Sequence, residues 1–323
     1  MIRPFIKWAG GKTRVLPDLL PHLPKADCLI EPFVGGASVF LATEYRRYVL
    51  ADINPDLINL YREVTRYPDL VIDAARELFN SKNSPQGYNE VRAAFNKQVG
   101  TVKSGGLRYG AEMACIMRAA QFLYLNRHGY NGLCRYSRKT GFNVPFGKYK
   151  SVYFPENEIR LFAEKANDTK AIFLCAPFQR SLQVVTGGDV LVYCDPPYLP
   201  ESKTADFTQY HTEPFTEDNH RQLVQALLEV NRKHGVKVVI SNSDTEATRA
   251  IYQPFKMHEI NVQRSVSTDK DNRQKAKEVI GVLPVCDCCG RYGGGCPDCG
   301  AVMGDATYNA MVTAGTFDDL EAF

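Results

Sequence analysis

The residues with the clearest chemistry are Asp195-Pro196-Pro197-Tyr198, which follow directly on the apolar run Val190 to Cys194. Two consecutive prolines cannot continue a β-ladder, so a strand has to stop here, and the prolines hold the carbonyls of the turn in fixed directions. In open α/β sheets the carboxyl ends of the strands are where ligands bind. An exocyclic amine has two hydrogens to donate; a carboxylate and a rigid carbonyl accept them, and a tyrosine ring offers a face to a base taken out of its stack. Such acceptors raise the electron density on the nitrogen and turn its lone pair toward an electrophile. A plain strand-to-loop turn with an exposed tyrosine is the bland alternative. It explains the four residues in isolation but not the glycine turn upstream.

That turn lies in Glu31-Pro32-Phe33-Val34-Gly35-Gly36. Cys28-Leu29-Ile30 reads as a strand leading into it, Ala37 to Leu41 as a helix, and Tyr48 to Ala51 as a second strand that ends in Asp52. Strand, glycine turn, helix, strand, acid is the order of a nucleotide-type βαβ unit. Two rival nucleotide sites fail on their own residues. Gly10-Gly11-Lys12-Thr13 resembles the end of a phosphate-binding loop, but Ile6 stands where that motif needs its first glycine. No GxGxxG is present at the turn, which argues against a dinucleotide.

The surrounding segments have to position these groups. From Pro55 the alternation of strand and helix gives way to a different character. Glu112 to Leu125 carries Met113, Ile116, Met117, Ala120, Leu123 and Tyr124 at helical spacing, and Asn126 to Lys150 is rich in Gly, Asn, Arg and aromatics. Residues 55–170 therefore read as a largely helical insertion with an exposed loop or hairpin. The α/β pattern resumes with the buried strands Ala171 to Cys175 and Val190 to Cys194. Thr216 caps a helix with Glu217 and Asp218 in its first turn and Leu223, Val224, Leu227 and Leu228 on its apolar face. Val236 to Ile240 is a further strand. Ile260 to Val266 and Val279 to Leu283 form a closing pair, joined by a charged loop around Thr268 to Lys277. The expected fold is α/β, with one Rossmann-like sheet built from residues 1–54 and 171–284.

The net charge is only +3, but residues 300–323 hold four acids (Asp305, Asp318, Asp319, Glu321) and no lysine or arginine, so the basic excess lies in the body. It concentrates in residues 127–150, where Arg127, Arg135, Arg138, Lys139, Lys148 and Lys150 stand without any acid. Tyr130, Tyr136, Phe142, Phe146 and Tyr149 lie between them. Basic groups neutralise phosphates, and aromatics stack on or wedge between bases; a solvated basic loop has the same composition. Arg264, Lys270, Arg273, Lys275 and Lys277 suit a phosphate grip or a surface loop equally. No apolar run is long enough to span a bilayer, and Met1-Ile2-Arg3-Pro4-Phe5 leads into no apolar h-region. A cytoplasmic protein without a membrane partner is expected.

The cysteines fall into two groups. Cys28, Cys115, Cys134, Cys175 and Cys194 lie mostly among apolar residues and read as small core residues in a reducing compartment. Cys286-x-x-Cys289 and Cys296-x-x-Cys299 flank a spacer with Gly293-Gly294-Gly295. Two such pairs present four sulfurs tetrahedrally to zinc, and in a segment too poor in apolar residues to build a core the metal supplies the folding energy. Residues 285–300 are therefore a candidate structural zinc knuckle, with Cys288 as a spare thiol or register competitor. Free thiols in a disordered tail are the alternative. Residues 301–323 are expected to be a flexible acidic tail.

The combination of Phe5-Ile6-Lys7-Trp8-Ala9-Gly10-Gly11-Lys12, Glu31-Pro32-Phe33-Val34-Gly35-Gly36, Ala51-Asp52-Ile53-Asn54 and Asp195-Pro196-Pro197-Tyr198 resembles the Dam family of DNA adenine methyltransferases. The resemblance spans roughly residues 3–284, and its motifs are specific as a set. It implies a seven-stranded methyltransferase sheet that binds S-adenosylmethionine, with the cofactor motifs before the target-recognition insertion and the catalytic motif after it. Trp8, Gly10, Lys12, Glu31, Phe33, Gly35, Asp52 and Asp195 are then the cofactor-binding residues, with Asp52 on the ribose hydroxyls and Asp195 near both the cofactor's amino group and the target base. Asp195, Pro196, Pro197 and Tyr198 are the catalytic set. The turn here reads Gly35-Gly36-Ala37, with alanine in the third place where the family often has glycine.

The resemblance extends to the basic segment. Asn126 to Tyr136, followed by Phe142-Asn143-Val144-Pro145-Phe146-Gly147, is similar to the hairpin that Dam enzymes place in the major groove of double-stranded DNA. It implies that Arg135 reads a guanine edge bidentately, that Leu133 and Pro145 make apolar contacts to pyrimidines, that Tyr130 and Asn131 wedge in beside the extruded adenine, and that Lys7 touches the outer guanine. GATC is the implied target. Direct in-line transfer to N6 is expected, since no cysteine sits where a cytosine C5-methyltransferase carries its nucleophile. The alternatives are methylation of RNA or of a protein glutamine amide, for which a groove-reading hairpin has no use, and an idle DNA-binding protein, which has no reason to keep Asp195 and Tyr198.

Overall fold

The computed structural model describes residues 2–97, 109–186, 188–199, 215–262 and 276–283. In chain order they form α1 (Leu16–Leu19), β1 (Cys28–Glu31), α2 (Ser38–Ala42), β2 (Arg47–Asp52), α3 (Pro55–Arg66), α4 (Pro68–Ser81), α5 (Pro85–Lys97), α6 (Tyr109–His128), β3 (Tyr136–Ser137), β4 (Gly141–Phe142) and α7 (Glu156–Asp168). There follow β5 (Ile172–Cys175), α8 (Phe178–Leu182), β6 (Val190–Cys194), α9 (Glu217–His234), β7 (Lys237–Ser243), α10 (Glu246–Ile251), β8 (Lys256–Val262) and β9 (Ala276–Val282). Among the described residues no helix is long and apolar enough to cross a membrane.

Seven strands make one sheet in the order β5-β2-β1-β6-β7-β9-β8. β5, β2, β1, β6 and β7 run parallel, and β9 pairs antiparallel with both β7 and β8. The near-continuous apolar runs of β1 and β6 are those of strands covered on both faces. Their side chains alternate between two cores. Leu29, Leu191, Tyr193 and Val239 pack on one face with Phe40, Tyr61 and Phe162 of α2, α3 and α7. Ile30, Val192, Cys194 and Ile240 pack on the other with Phe178, Leu223 and Tyr252. The first core runs on without a break into α4, α5 and α6 through Phe79, Tyr88, Phe95 and Phe122. Thr216 does cap α9, in a reciprocal capping box with Asn219, and Gly235 ends that helix in the left-handed region.

Four sequence expectations shift. β8 starts at Lys256 rather than Ile260, and β9 at Ala276 rather than Val279, so Lys277 belongs to a strand rather than to the preceding loop. β7 does not end at Ile240 but continues through the buried polar residues Ser241, Asn242 and Ser243. Met113 does not share the buried face of α6 and is 48% exposed, because the helix is enclosed only from Ile116 onward. Cys175 is exposed at the end of the edge strand β5, whereas Cys28, Cys134 and Cys194 are buried as read and Cys115 is half-buried; all five are free thiols. The expected zinc knuckle, the acidic tail and Arg264, Lys270, Arg273 and Lys275 lie outside the described residues.

Candidate active site

The carboxyl ends of β1, β2, β6 and β7 converge on one edge, as the parallel order requires. At the end of β6, Asp195 Oδ1 accepts from Ser241 Oγ at 2.9 Å and pairs with Lys12 Nζ at 2.7 Å. Lys12 Nζ also donates to the Gly10 carbonyl at 3.0 Å and lies 4.6 Å from the centroid of the Tyr198 ring. Burial raises the Asp195 carboxyl above its ordinary value, and Lys12 and Ser241 pull against that shift. The Tyr198 hydroxyl donates to Glu278 on β9 at 2.7 Å, which ties the ring to the opposite side of the site. Cys194, directly before Asp195, is fully buried with its thiol raised well above the ordinary range, so it is no nucleophile.

The glycine turn after β1 is shaped by Trp8. A Cβ at Gly35 would come within 2.9 Å of the Trp8 indole nitrogen and one at Gly36 within 3.0 Å of Trp8 Cβ, so both glycines clear the tryptophan. The glycines of this turn are thus required first by the approach of Trp8. Ala37, in the third place, sits at φ 58° in the left-handed region that costs a residue with a Cβ about 1–2 kcal/mol. Its full burial and the bond of its N–H to the Val34 carbonyl at 2.8 Å hold it there. The Tyr61 hydroxyl donates to the Gly35 carbonyl at 2.6 Å and closes the turn from α3.

Asp52 ends β2 as the pattern suggested. Its two oxygens accept from the backbone N–H of Gly35 at 3.1 Å and of Asn54 at 2.9 Å. Burial raises its carboxyl to about 6 against these bonds. Glu31, at the end of β1, is 2% exposed, its Oε1 is buried without a hydrogen-bond partner, and burial beside Asp195 pushes its carboxyl well up. An orphaned acceptor of this kind fits an ammonium group of a ligand. Phe33 is half-buried and packs edge-on against Phe215 and obliquely on Phe178.

The hairpin residues form a second cluster, and the first segment of the chain is built into it. The buried Asn126 side chain accepts from the Lys7 N–H at 2.8 Å and donates to the carbonyls of Lys7 at 2.7 Å and Gly132 at 3.2 Å. Lys7 Nζ lies 4.3 Å from the Tyr149 ring centroid, and the Tyr149 hydroxyl accepts from the Asn131 N–H at 2.9 Å. Arg135 is exposed, with Nε held by Asn143 Oδ1 at 2.7 Å. Tyr130, Asn131 and Pro145 are exposed and Leu133 is half-buried. Asn96 on α5 grips β4 by donating to the Thr140 and Phe142 carbonyls and accepting from the Phe142 N–H.

The structure thus brings Lys12, Asp195 and Tyr198 into direct contact, sets Trp8 on Gly35, joins Gly35 to Asp52, and collects Lys7 with Tyr130, Asn131, Leu133, Arg135 and Pro145 on the hairpin side. Sequence reading missed Ser241 and Glu278, which hold Asp195 and Tyr198, and Asn126 and Asn96, which brace the hairpin. The one local signal was the polar run Ser241-Asn242-Ser243 at the binding edge of an apolar strand.

Sheet order and turn chemistry together are those of a methyltransferase. The profile of D12 class N6 adenine-specific DNA methyltransferases matches residues 8–266, and the chain belongs to that family. It is 47% identical over 279 residues to the DNA adenine methylase of Escherichia coli strain K12, a match that covers 86% of this chain and 94% of that protein. It is 44% identical over 277 residues to the retron Ec67 DNA adenine methylase of Escherichia coli (86% and 90% covered) and 41% identical over 282 residues to the DNA adenine methylase of Vibrio cholerae serotype O1 (87% and 96%). The protein is accordingly an adenine-specific N6 DNA methyltransferase, of a family that uses S-adenosylmethionine.

Proposed function

We propose that the chain methylates adenine N6 within GATC in double-stranded DNA, after turning the base out of the helix into the site around Asp195, Pro196, Pro197 and Tyr198. The observation that carries this reading is the joining of Lys7 to Gly132 through Asn126, which sets the segment leading to Lys12 and Asp195 beside the groove-reading hairpin. Residues 55–170 hold the recognition insertion, whose first and last helices α3 and α7 also cover the sheet, and residues 1–54 and 171–284 the catalytic domain. The N6 amine donates to Asp195 and to the Pro196 carbonyl, and the base stacks on Tyr198, whose ring Lys12 also faces. The contacts described for Asp195, from Ser241 and Lys12, fall on Oδ1. In the transfer the N6–methyl bond would replace the sulfur–methyl bond and the nitrogen would lose a proton, for which the Asp195 carboxylate, raised by burial, is a suitable acceptor.

Trp8, Gly10, Lys12, Glu31, Phe33, Gly35 and Asp52 hold the cofactor, Glu31 at the ammonium end and Asp52 at the ribose. When bound, S-adenosylmethionine supplies an electrophilic sulfonium methyl group. The protein's part is to align the nitrogen and exclude water, the positioning effect that makes a two-partner reaction behave as an intramolecular one. On the DNA side, Arg135 takes a guanine edge in the major groove, Leu133 and Pro145 touch pyrimidine, and Tyr130 and Asn131 fill the gap beside the extruded base. Structural zinc on Cys286, Cys289, Cys296 and Cys299 rests on cysteine spacing alone. One zinc per chain in purified protein, lost with Cys289→Ser, is the expected metal analysis.

The test is transfer of a labelled methyl group to two duplexes that differ only in GATC against GTTC. Label on the adenine of the first alone is expected; label on both retains the reaction and removes the specificity.

A further inference from the structure

Outside the residues assigned so far, the described chain holds one chain of buried polar groups that ends on the catalytic turn from both sides. His220 on α9 lies with Nε2 at 3.1 Å from the Pro197 carbonyl and Nδ1 at 2.9 Å from the Tyr252 hydroxyl. Asn242 Nδ2 lies 3.1 Å from that same hydroxyl, and Asn242 Oδ1 accepts from the Leu199 N–H at 3.2 Å. Ser243 Oγ donates to the Leu199 carbonyl at 2.9 Å. His220, Tyr252 and Asn242 have no exposed surface.

Donor and acceptor capacity fixes every direction in this chain. The Pro197 carbonyl only accepts, so His220 Nε2 carries the hydrogen. Burial lowers the His220 imidazole to about 4, so the ring is neutral at physiological pH and Nδ1 is an acceptor. Tyr252 therefore donates to Nδ1, and its oxygen accepts from the Asn242 amide. That leaves Asn242 Oδ1 facing the Leu199 N–H, which can only donate. The two ends of the chain of bonds grip Pro197 and Leu199 and so bracket Tyr198. The His220 ring also meets Phe215 edge-on at 4.7 Å, and Phe215 packs on Phe33 at 5.7 Å, so the same imidazole touches the wall of the cofactor side.

We propose that His220, oriented by Tyr252 and Asn242, is a positioning residue for methyl transfer. By holding the Pro197 carbonyl it sets the direction of the Pro196 carbonyl and the tilt of the Tyr198 ring. The proposal rests on the reading of residues 195–198 as the target-base site. A small misplacement of reacting groups costs up to about a hundredfold in rate. His220→Ala is therefore expected to lower kcat on GATC duplex by roughly tenfold to a hundredfold, with KM for DNA and Kd for S-adenosylmethionine changed by less than about threefold. Glutamine places an N–H donor where Nε2 stands, so His220→Gln is expected to recover kcat to within about threefold of the parent. Tyr252→Phe, which removes the orienting hydroxyl and keeps the ring, is expected to lower kcat in the same direction.

Single-turnover rates, cofactor titration and thermal melts of these three variants, with Asp195→Ala in parallel, separate the outcomes. An active Asp195→Ala protein overturns the site reading itself. An inactive Asp195→Ala protein beside a folded His220→Ala protein of unchanged kcat overturns the relay alone. A His220→Gln protein as slow as His220→Ala also overturns it, since the imidazole would then matter for its volume and not for its hydrogen bond. Should His220→Ala not fold, His220→Gln and Tyr252→Phe decide: normal kcat in both His220→Gln and Tyr252→Phe overturns the relay, and normal kcat in the first with reduced kcat in the second supports it.

Discussion

At the scale of single residues, the chemistry depends on two carboxylates whose environments differ. Asp195 accepts from a lysine and a serine in the described state, and Asp195→Ala should lower kcat by roughly a thousandfold or more. DNA affinity, measured by fluorescence anisotropy, should stay within about threefold, since the proposed groove contacts lie on the hairpin and not on Asp195. Asp52 carries a pH signature. Burial raises its carboxyl to about 6, so it is ionised above that value and, in the proposed ribose contact, would accept from both hydroxyls; protonated below it, it loses an acceptor. Cofactor affinity should thus be full above about pH 7 and weaken as the pH falls through 6, by at most about tenfold per unit. Calorimetric titration between pH 5 and pH 8 reads this directly, and Asp52→Asn should flatten the dependence.

At the scale of elements, the hairpin is mounted on helices rather than on the sheet. Gly132 shows how tight the mount is: at φ +64°, a Cβ there would lie 2.2 Å from Lys7 Cβ. Gly132→Ala should cost about 2–4 kcal/mol from overpacking and left-handed strain together. A raised KM for DNA with unchanged cofactor affinity is the expected kinetic signature. The sequence marked this segment by its lack of acids and its interleaved aromatics, but it could not show what braces it. Asn96 and Asn126 carry no local pattern that separates them from any helical asparagine.

At the scale of the whole molecule, the end of β2 and the β3–β4 hairpin share one buried polar junction. Asn54, next to the Asp52 end of β2, donates to Cys134 Sγ at 3.5 Å; Asp56 accepts from the Tyr136 hydroxyl at 2.7 Å and pairs with Arg118 at 2.6 Å. Both members of the Asp56–Arg118 pair are nearly inaccessible to solvent, and Arg118 lies 4.0 Å from the Phe95 ring centroid. Arg118→Ala leaves a buried carboxylate uncompensated and should destabilise the protein by about 3–5 kcal/mol, read by denaturant unfolding. The same change should impair DNA recognition before it impairs cofactor binding, because β3 bonds to Asp56 directly.

The sequence by itself determined β1 and β6 and the apolar part of β7, since apolar runs of this length bury on both faces of a sheet. It also determined the stop after β6, because Pro196 and Pro197 cannot pair, and the chemical types present at each strand end. Tertiary structure alone decided which of those groups meet. Lys12 reaches Asp195 and Tyr198 because β1, which follows it, lies beside β6; Glu278 reaches Tyr198 because β9 lies beyond β7 on the same edge; and His220 reaches Pro197 because α9 packs on the sheet behind it. It also decided that Ser241 reaches Asp195 and Asn242 reaches Leu199 from opposite faces of β7, as that strand runs three residues past its apolar part. Strand order is set by the summed burial of both cores, a property of the whole chain that no local spacing carries.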